Sequence, residues 1–457
     1  MRAHSLNLRN RRVTVVGLGV EGTALVPYLV AQGAQVTVSD ARLSPALAEN
    51  LQKIHGLPVN LALGGNRPED CVDADILFIS QGVPLDLPAL EAAKAGGVPF
   101  SSVTKLFMEL CPAPIVGVTG SAGKSTTTSL VGEMFKAAGR KTLVGGNLGT
   151  MLLDRLDELT SEHWVVLEIS HTQLELTDQS PHVAAITNIS PSHADRYPSL
   201  DQYIDLKKRL YHYQGPYDWL VLNADDAVTR AMAHQARARV LWFSLHPDSS
   251  QDGAFIEAGN IMLRLNGHES TVLPVSGIKL LGVHNQANVV AACAVSGAAG
   301  LPVEAMAQAA HTFTGVPHRL EWVREIDGVD YNDDSIGTTP ERVIAGLHSF
   351  DRPIVLLAGG REKHLALGHW ASEVSKRCTG VVFFGEAGPL LESALQPVWL
   401  DRSRSIRVST LEEAVPAARG LARTGDIVLL SPACTSFDAY PNFEKRGEHF
   451  KQLVNAL

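Results

Sequence analysis

The sequence predicts an α/β fold of three domains, each built on a mainly parallel sheet. Three observations carry this. Short β-branched apolar runs recur in three separate regions, and stretches of helical period lie between them. Two of the runs end in Gly-rich turns that open a helix, Gly17-Leu-Gly-Val-Glu-Gly22 and Gly117-Val-Thr-Gly-Ser-Ala-Gly-Lys-Ser-Thr126.

In chain order, residues 13–16 read as the first strand, followed by a helix through about Gln32 and by strands at 36–38 and 76–79. A second set begins at 114–118 and continues with 164–167 and 184–188. The third comprises 354–357, 380–384 and 427–430. Boundaries are expected near Val103 to Lys105 and at Phe313-Thr-Gly-Val-Pro317, where Gly and Pro interrupt an Ala-rich helical pattern. The expected domains are therefore 1–104, 105–313 and 314–457.

The chain has 457 residues, 45% apolar and 19% charged, which suits a globular protein with several cores. A net charge of −9 without a Lys/Arg block argues against nucleic acid as the main partner. Five scattered cysteines with no CxxC pair read as reduced thiols. No signal-type apolar core follows the basic N-terminus, and no run of about eighteen apolar residues occurs. A cytoplasmic monomer without membrane insertion is the expectation.

The strongest chemical signal is the segment Gly117 to Thr126. Its glycines let backbone N–H groups close around phosphates, and the N-terminus of the following helix adds a favourable dipole. Lys124 reaches the β/γ-phosphates, and Ser125 or Thr126 can coordinate Mg²⁺. Val118 stands where the strict pattern has glycine, so this is a variant loop for ATP or GTP. The turn Gly17 to Gly22 with Asp40 matches a dinucleotide fingerprint, which serves NAD or FAD as well as another nucleotide. Hydride chemistry has no need of a phosphate loop. Two nucleotide elements suggest one nucleotide for energy and one as a handle on the substrate. Glu168, at the end of an apolar strand, reads as a Mg²⁺ ligand or as a solvated loop residue. His193 also follows a strand, and a lone histidine there is ordinarily structural.

Taken together, TGSAGKS, Gly145 to Gly149, Leu167 to Glu175, His193 to Pro198 and Tyr203 to Lys207 resemble the central domain of the Mur ligases. Asn223 to Asp226, Gly282 to Asn288, Phe313 to Arg319 and Ser431 to Ser436 follow in the family's order, so the resemblance covers nearly the whole chain. It implies a Rossmann-like UDP-binding domain, a central P-loop ATPase domain and a C-terminal Rossmann-like amino-acid domain. GVHNQAN, FTGVPHR and SPACTSFD look most like the members that add D-glutamate to UDP-N-acetylmuramoyl-L-alanine. In such a reaction ATP phosphorylates the acceptor's carboxylate, and the amino acid's amine displaces phosphate to give an amide.

By resemblance, Gly120, Gly123, Lys124, Ser125 and Thr126 hold ATP phosphates, with Asn288, Arg319 and Asp334 at adenosine and phosphate positions. Lys124, Glu168, His193 and Lys207 take catalytic roles. Ser125, Glu168 and His193 match Mg²⁺ ligands for two ions, and Lys207 matches a lysine that carries a CO₂-derived carbamate. Without the resemblance, Lys207-Lys-Arg209 reads as an ordinary solvated helix face. Gly19, Val20, Glu21, Asp40, Arg42, Gln81, Gly82 and Asn147 match UDP-sugar positions, and Ser170, Gln173 and His193 complete the acceptor site. Thr338, Lys363, Ser436 and Phe443 match the glutamate pocket.

The chain departs from the family's pattern at Ile336, which often is lysine, at Ala122, often asparagine, and at His171-Thr172. Ile336 keeps L-glutamate open as the added amino acid. A nicotinamide-dependent oxidoreductase would rest on the Gly17 to Asp40 unit alone.

Overall fold

The computed structural model describes residues 7–148, 152–190, 196–197, 199–247, 251–280, 282–362, 367–399 and 401–457. Two compact units divide the chain, Met1–Phe313 and Thr314–Leu457.

The first unit holds two sheets. In the first, β1 (Arg12–Val16), β2 (Gln35–Asp40), β3 (Val59–Leu63), β4 (Ile76–Ile79) and β5 (Phe100–Ser101) run parallel in the order β3-β2-β1-β4-β5. Val13, Val15 and Val16 are all buried, although alternate residues point to opposite faces, so the sheet is covered on both sides. Residue 104, the expected domain end, lies in the helix Val103–Leu110, whose first turn is capped by the Ser102 hydroxyl.

The second sheet contains β6 (Ile115–Thr119), β7 (Thr142–Gly146), β8 (Trp164–Glu168), β9 (Val183–Ile186), β10 (Trp219–Asn223), β11 (Arg239–Ser244), β12 (Gly253–Glu257), β13 (Asn260–Leu265) and β14 (His268–Pro274). Its order is β14-β13-β12-β11-β10-β9-β6-β8-β7, parallel from β7 to β12 and antiparallel through β13 and β14. The helices Lys124–Ala137 and Val283–Ala298 pack on this sheet. Leu130, Val131, Met134 and Phe135 of the first meet Val289 to Val295 of the second in one apolar cluster. The Ala-rich stretch is thus a buried core helix, and its small side chains permit the close approach. Among the described residues, no helix is long and apolar enough to cross a membrane.

β9 stops two residues earlier than expected. Thr187 and Asn188 leave the strand and turn their polar groups to the neighbouring Gly-rich loop.

The second unit has one sheet, β15 (Glu321–Ile326), β16 (Val329–Asp333), β17 (Ile354–Gly359), β18 (Cys378–Phe384), β19 (Ser405–Arg407) and β20 (Ile427–Ala433). The order is β15-β16-β20-β17-β18-β19, with only β15 antiparallel. Its two apolar layers, around Trp370 and around Phe450, are its own. None of the five cysteines, all among the described residues, forms a disulfide.

Candidate active site

β6 is buried throughout and delivers the phosphate loop at the carboxyl edge of the sheet, where ligands of such folds bind. Gly123 has φ +79°, and a Cβ there would lie 2.2 Å from Asn288 Oδ1. Glycine is therefore required, and the contact brings Asn288 to the loop. Lys124 curls back, its Nζ donating to the carbonyls of Gly120 at 3.0 Å and Ser121 at 2.9 Å. Thr126 follows, half-buried, in the first turn of the helix.

The Ser125 hydroxyl donates to one oxygen of the buried Glu168 carboxylate. Asn147 Nδ2 donates to the other at 2.6 Å. Asn147, expected along the sugar and diphosphate, thus sits against Glu168. Gly146 at the end of β7 has φ +83° and passes so close that a Cβ would be 2.3 Å from the Glu168 carbonyl oxygen.

Lys207 is 1% exposed, not part of a solvated face. On the helix Leu200–His212 it shares the buried stripe with Tyr203, Leu206 and Leu210. Its Nζ donates to Thr119 Oγ1 at 2.9 Å, and that hydroxyl donates onward to the Ile169 carbonyl at 2.6 Å. Burial holds the Lys207 pKa well below the usual lysine range, and the charge of Lys124 adds to this against the opposing pull of Glu168.

The first sheet contributes the Gly17 to Gly22 turn. Gly19 precedes the helix Val20–Ala31, and Val20 is exposed. Asp40 accepts from the Leu18 amide at 2.7 Å and from Arg42 Nε at 2.9 Å and Nη2 at 2.8 Å. Burial opposes its charge, but the hydrogen bonds from Arg42 and Leu18 win and hold its pKa below the usual carboxylate value.

Glu21 accepts from Gln81 N at 3.0 Å and Gln81 Nε2 at 2.7 Å. Gln81 Oε1 in turn accepts from Thr172 at 2.9 Å and Ser170 at 3.3 Å. Ser170 and Gln173 form a reciprocal capping box. Glu21, Gln81, Gly82, Thr172, Gln173 and Arg196 line one cleft where residues from the first and second sheets meet.

In the second unit, Asp334 follows β16 and is buried, accepting from Ser431 Oγ at 2.6 Å and the Leu320 amide at 3.3 Å. Burial pushes its carboxyl up to about 7, against the lowering effects of Ser431 and Arg319. Thr338 lies in the turn after β16, and Ser436 in the turn after the adjacent β20. Phe443 starts the helix Phe443–Ala456, capped by Asn442, and its carbonyl accepts from Ser335 Oγ at 2.8 Å. The three glutamate-pocket positions therefore gather at one edge of this sheet.

Arg446 was not anticipated. It is fully buried, and its guanidinium donates to Ser335 Oγ at 3.0 Å and to the carbonyls of Ser335, Cys434 and Thr435 at 2.9, 3.2 and 3.0 Å. It ties the ends of β16 and β20 together. The motif Glu-Lys-Arg-Gly contains it, but nothing in that polar run marks Arg446 as the buried member. His318 was also missed: its Nδ1 meets Asp333 Oδ2 at 2.7 Å in a buried pair. Among the described residues, His318, Glu321 and Asp333 are the one cluster with metal-ligand spacing. Glu321 there already pairs with the Lys451 ammonium at 3.0 Å. His193 and Lys363 lie outside the described residues.

Fold and site together define an α/β protein with a Gly-rich strand-to-helix loop, a carboxylate beside that loop's serine and a buried lysine. Three family patterns match: "Mur ligase MurD-like, N-terminal domain" at 11–102, "Mur ligase middle domain" at 118–296 and "Mur ligase, glutamate ligase domain" at 318–434. The UDP-N-acetylmuramoylalanine--D-glutamate ligase of Symbiobacterium thermophilum is 43% identical, covering 98% of each chain. The enzyme of the same name from Clostridium novyi is 40% identical, again over 98% of each. Among solved structures, the UDP-N-acetylmuramate-alanine ligase MurC of Thermotoga maritima aligns with a TM-score of 0.54 at 19% identity, covering 98% of this chain and 100% of that one. MurF of Acinetobacter baumannii gives 0.54 at 18% identity over 84% and 92%. The chain belongs to the Mur ligase family, whose members form amide bonds at the expense of ATP.

Proposed function

We propose that this ligase adds D-glutamate to UDP-N-acetylmuramoyl-L-alanine through an acyl phosphate, releasing ADP and phosphate, in the synthesis of peptidoglycan precursors. The observation that carries the reading is end-to-end identity of 43% and 40% to proteins named for that reaction. The cluster of Lys124, Ser125, Glu168 and Lys207 supports the chemistry.

A carboxylate is a poor electrophile, and activating it with ATP depends on positioning and charge neutralisation. Lys124 supplies a cation over the phosphate loop. Ser125 and Glu168 present adjacent oxygen donors of the kind Mg²⁺ takes, so these residues fit the ion. With His193 and a carbamate on Lys207 they would hold two Mg²⁺, which when bound neutralise phosphate charge. Burial favours the neutral amine of Lys207, the form that attacks CO₂. One N–C bond forms as a C–O π bond of CO₂ opens and one proton leaves, converting the neutral amine into an oxygen-bearing anion.

Asn288, Arg319 and Asp334 take the adenosine and phosphate ends of ATP. Gly19, Val20, Glu21, Asp40, Arg42 and Gly82 bind the UDP end of the acceptor, with Asn147, Ser170, Gln173 and His193 along its sugar and peptide. Thr338, Lys363, Ser436 and Phe443 receive glutamate, whose two carboxylates need several donors at fixed spacing. In this reading the domains are 1–104, 105–313 and 314–457, and the protein works as a cytoplasmic monomer. Ile336, where lysine is common, is the one observation that favours L-glutamate instead.

Incubation with ATP, the acceptor and either D- or L-glutamate, with product mass measured, tests the reading. Ligation with D-glutamate alone is expected. Ligation with L-glutamate alone would overturn the pocket assignment, and no product with either would overturn the reaction.

A further inference from the structure

Asn188 stands past the carboxyl end of β9, beside the phosphate loop. Its Oδ1 accepts the Ala122 N–H at 2.9 Å, and its Nδ2 donates to the Ala122 carbonyl at 3.1 Å. The Asn188 carbonyl accepts the Ser121 N–H at 2.9 Å. Thr187 Oγ1 gives the Ala122 carbonyl a second bond at 2.6 Å. One side-chain amide therefore holds both backbone polar groups of Ala122. Only a carboxamide offers an acceptor and a donor at this spacing; a carboxylate lacks the donor, and leucine lacks both.

The loop needs such outside support. Its glycines at 120 and 123 both have positive φ, of +149° and +79°. Glycine backbones have the most freedom to lose on ordering. The methyl group of Ala122 cannot hydrogen-bond within the loop. Order imposed before a nucleotide arrives lowers the entropy lost on binding.

We propose that Asn188 is a positioning residue for ATP, holding the phosphate loop in its receiving shape through the peptide groups of Ala122. The proposal rests on the reading of Gly117 to Thr126 as the ATP site. Asn188 is set on an extension of a central strand, and Asn223 Nδ2 secures the adjacent Thr187 carbonyl at 3.0 Å. The clamp is thus anchored in the sheet and not in the loop it shapes.

Titration calorimetry of the full chain with Mg·AMP-PNP tests this directly, with UDP as a second probe and thermal melting alongside. Asn188→Leu is expected to bind AMP-PNP about ten-fold more weakly, the loss of one to two net hydrogen bonds. Asn188→Asp keeps the acceptor and should fall between that variant and wild type. UDP affinity should stay unchanged in both. If Asn188→Leu does not fold, the near-isosteric Asn188→Asp carries the test alone. AMP-PNP affinity within two-fold of wild type would overturn the proposal. So would a joint loss of AMP-PNP and UDP affinity with a lower melting temperature, which marks a merely structural role. Wild type that binds no AMP-PNP would instead overturn the ATP-site reading, and the proposal with it.

Discussion

Lys207 owes its chemistry to its surroundings. Removed from water and within reach of the Lys124 charge, it favours the neutral amine, while an exposed lysine would remain an ammonium. Wild-type protein in ¹³C-bicarbonate should therefore show a carbamate carbon signal that Lys207→Ala lacks, with kcat reduced by about 10²–10³. A signal that persists in the variant would place the carbamate elsewhere. The sequence held a clue to this burial, since Lys207 falls on the same helical stripe as Tyr203 and Leu210. Its neighbours Lys208 and Arg209 masked it, because local composition cannot say which of three adjacent cations turns inward.

Asp334 makes a pH-dependent contribution to stability. Its folded-state pKa of about 7 lies above the ordinary 3.8, so the folded chain binds this proton more tightly than the unfolded chain does. The protonated form's advantage is fully present below the unfolded value and is lost as pH rises through about 7. Asp334→Asn removes this dependence. Urea unfolding at about pH 4 and pH 8 should show the variant gaining up to about 4 kcal/mol relative to wild type across that interval. A constant difference would contradict the assignment.

The site elements are carboxyl ends of parallel strands, and their close approach dictates glycine. Gly146→Ala must displace the Glu168 backbone and strain a positive φ, so it should destabilise the protein by about 1–3 kcal/mol and weaken Mg²⁺-dependent nucleotide binding. Denaturant melts and AMP-PNP titration check both effects. Arg446→Met leaves the buried carbonyls of Ser335 after β16 and Cys434 after β20 without their donor, at a cost of about 3–5 kcal/mol, read from the unfolding of the second unit. An unchanged midpoint would show those carbonyls to be satisfied otherwise.

These elements differ in how plainly the sequence announces them. β6, β8, β9, β17 and β20 are buried on both faces and stand out as continuous apolar runs bounded by Gly and polar residues. β12 to β14 do not. Their exposed and buried positions alternate irregularly, and β14 opens with four exposed residues. The pairing of His318 with Asp333 likewise depends on a contact between residues 15 apart that no local pattern specifies.

At the scale of the whole molecule, the chain divides into two compact units between Phe313 and Thr314, within a segment where Gly and Pro follow an Ala-rich helical run. The second unit has its own sheet and two apolar layers. A fragment of residues 314–457 should therefore fold alone, with cooperative thermal unfolding followed by circular dichroism; a non-cooperative melt would contradict this.

In the proposed reaction ATP activates the acceptor's carboxylate before D-glutamate attacks. Acceptor labelled with ¹⁸O in its alanyl carboxylate, incubated with ATP and D-glutamate, tests it through the mass of the released phosphate. One ¹⁸O should be transferred to phosphate with each amide formed. Amide formation with unlabelled phosphate would contradict an acyl-phosphate route.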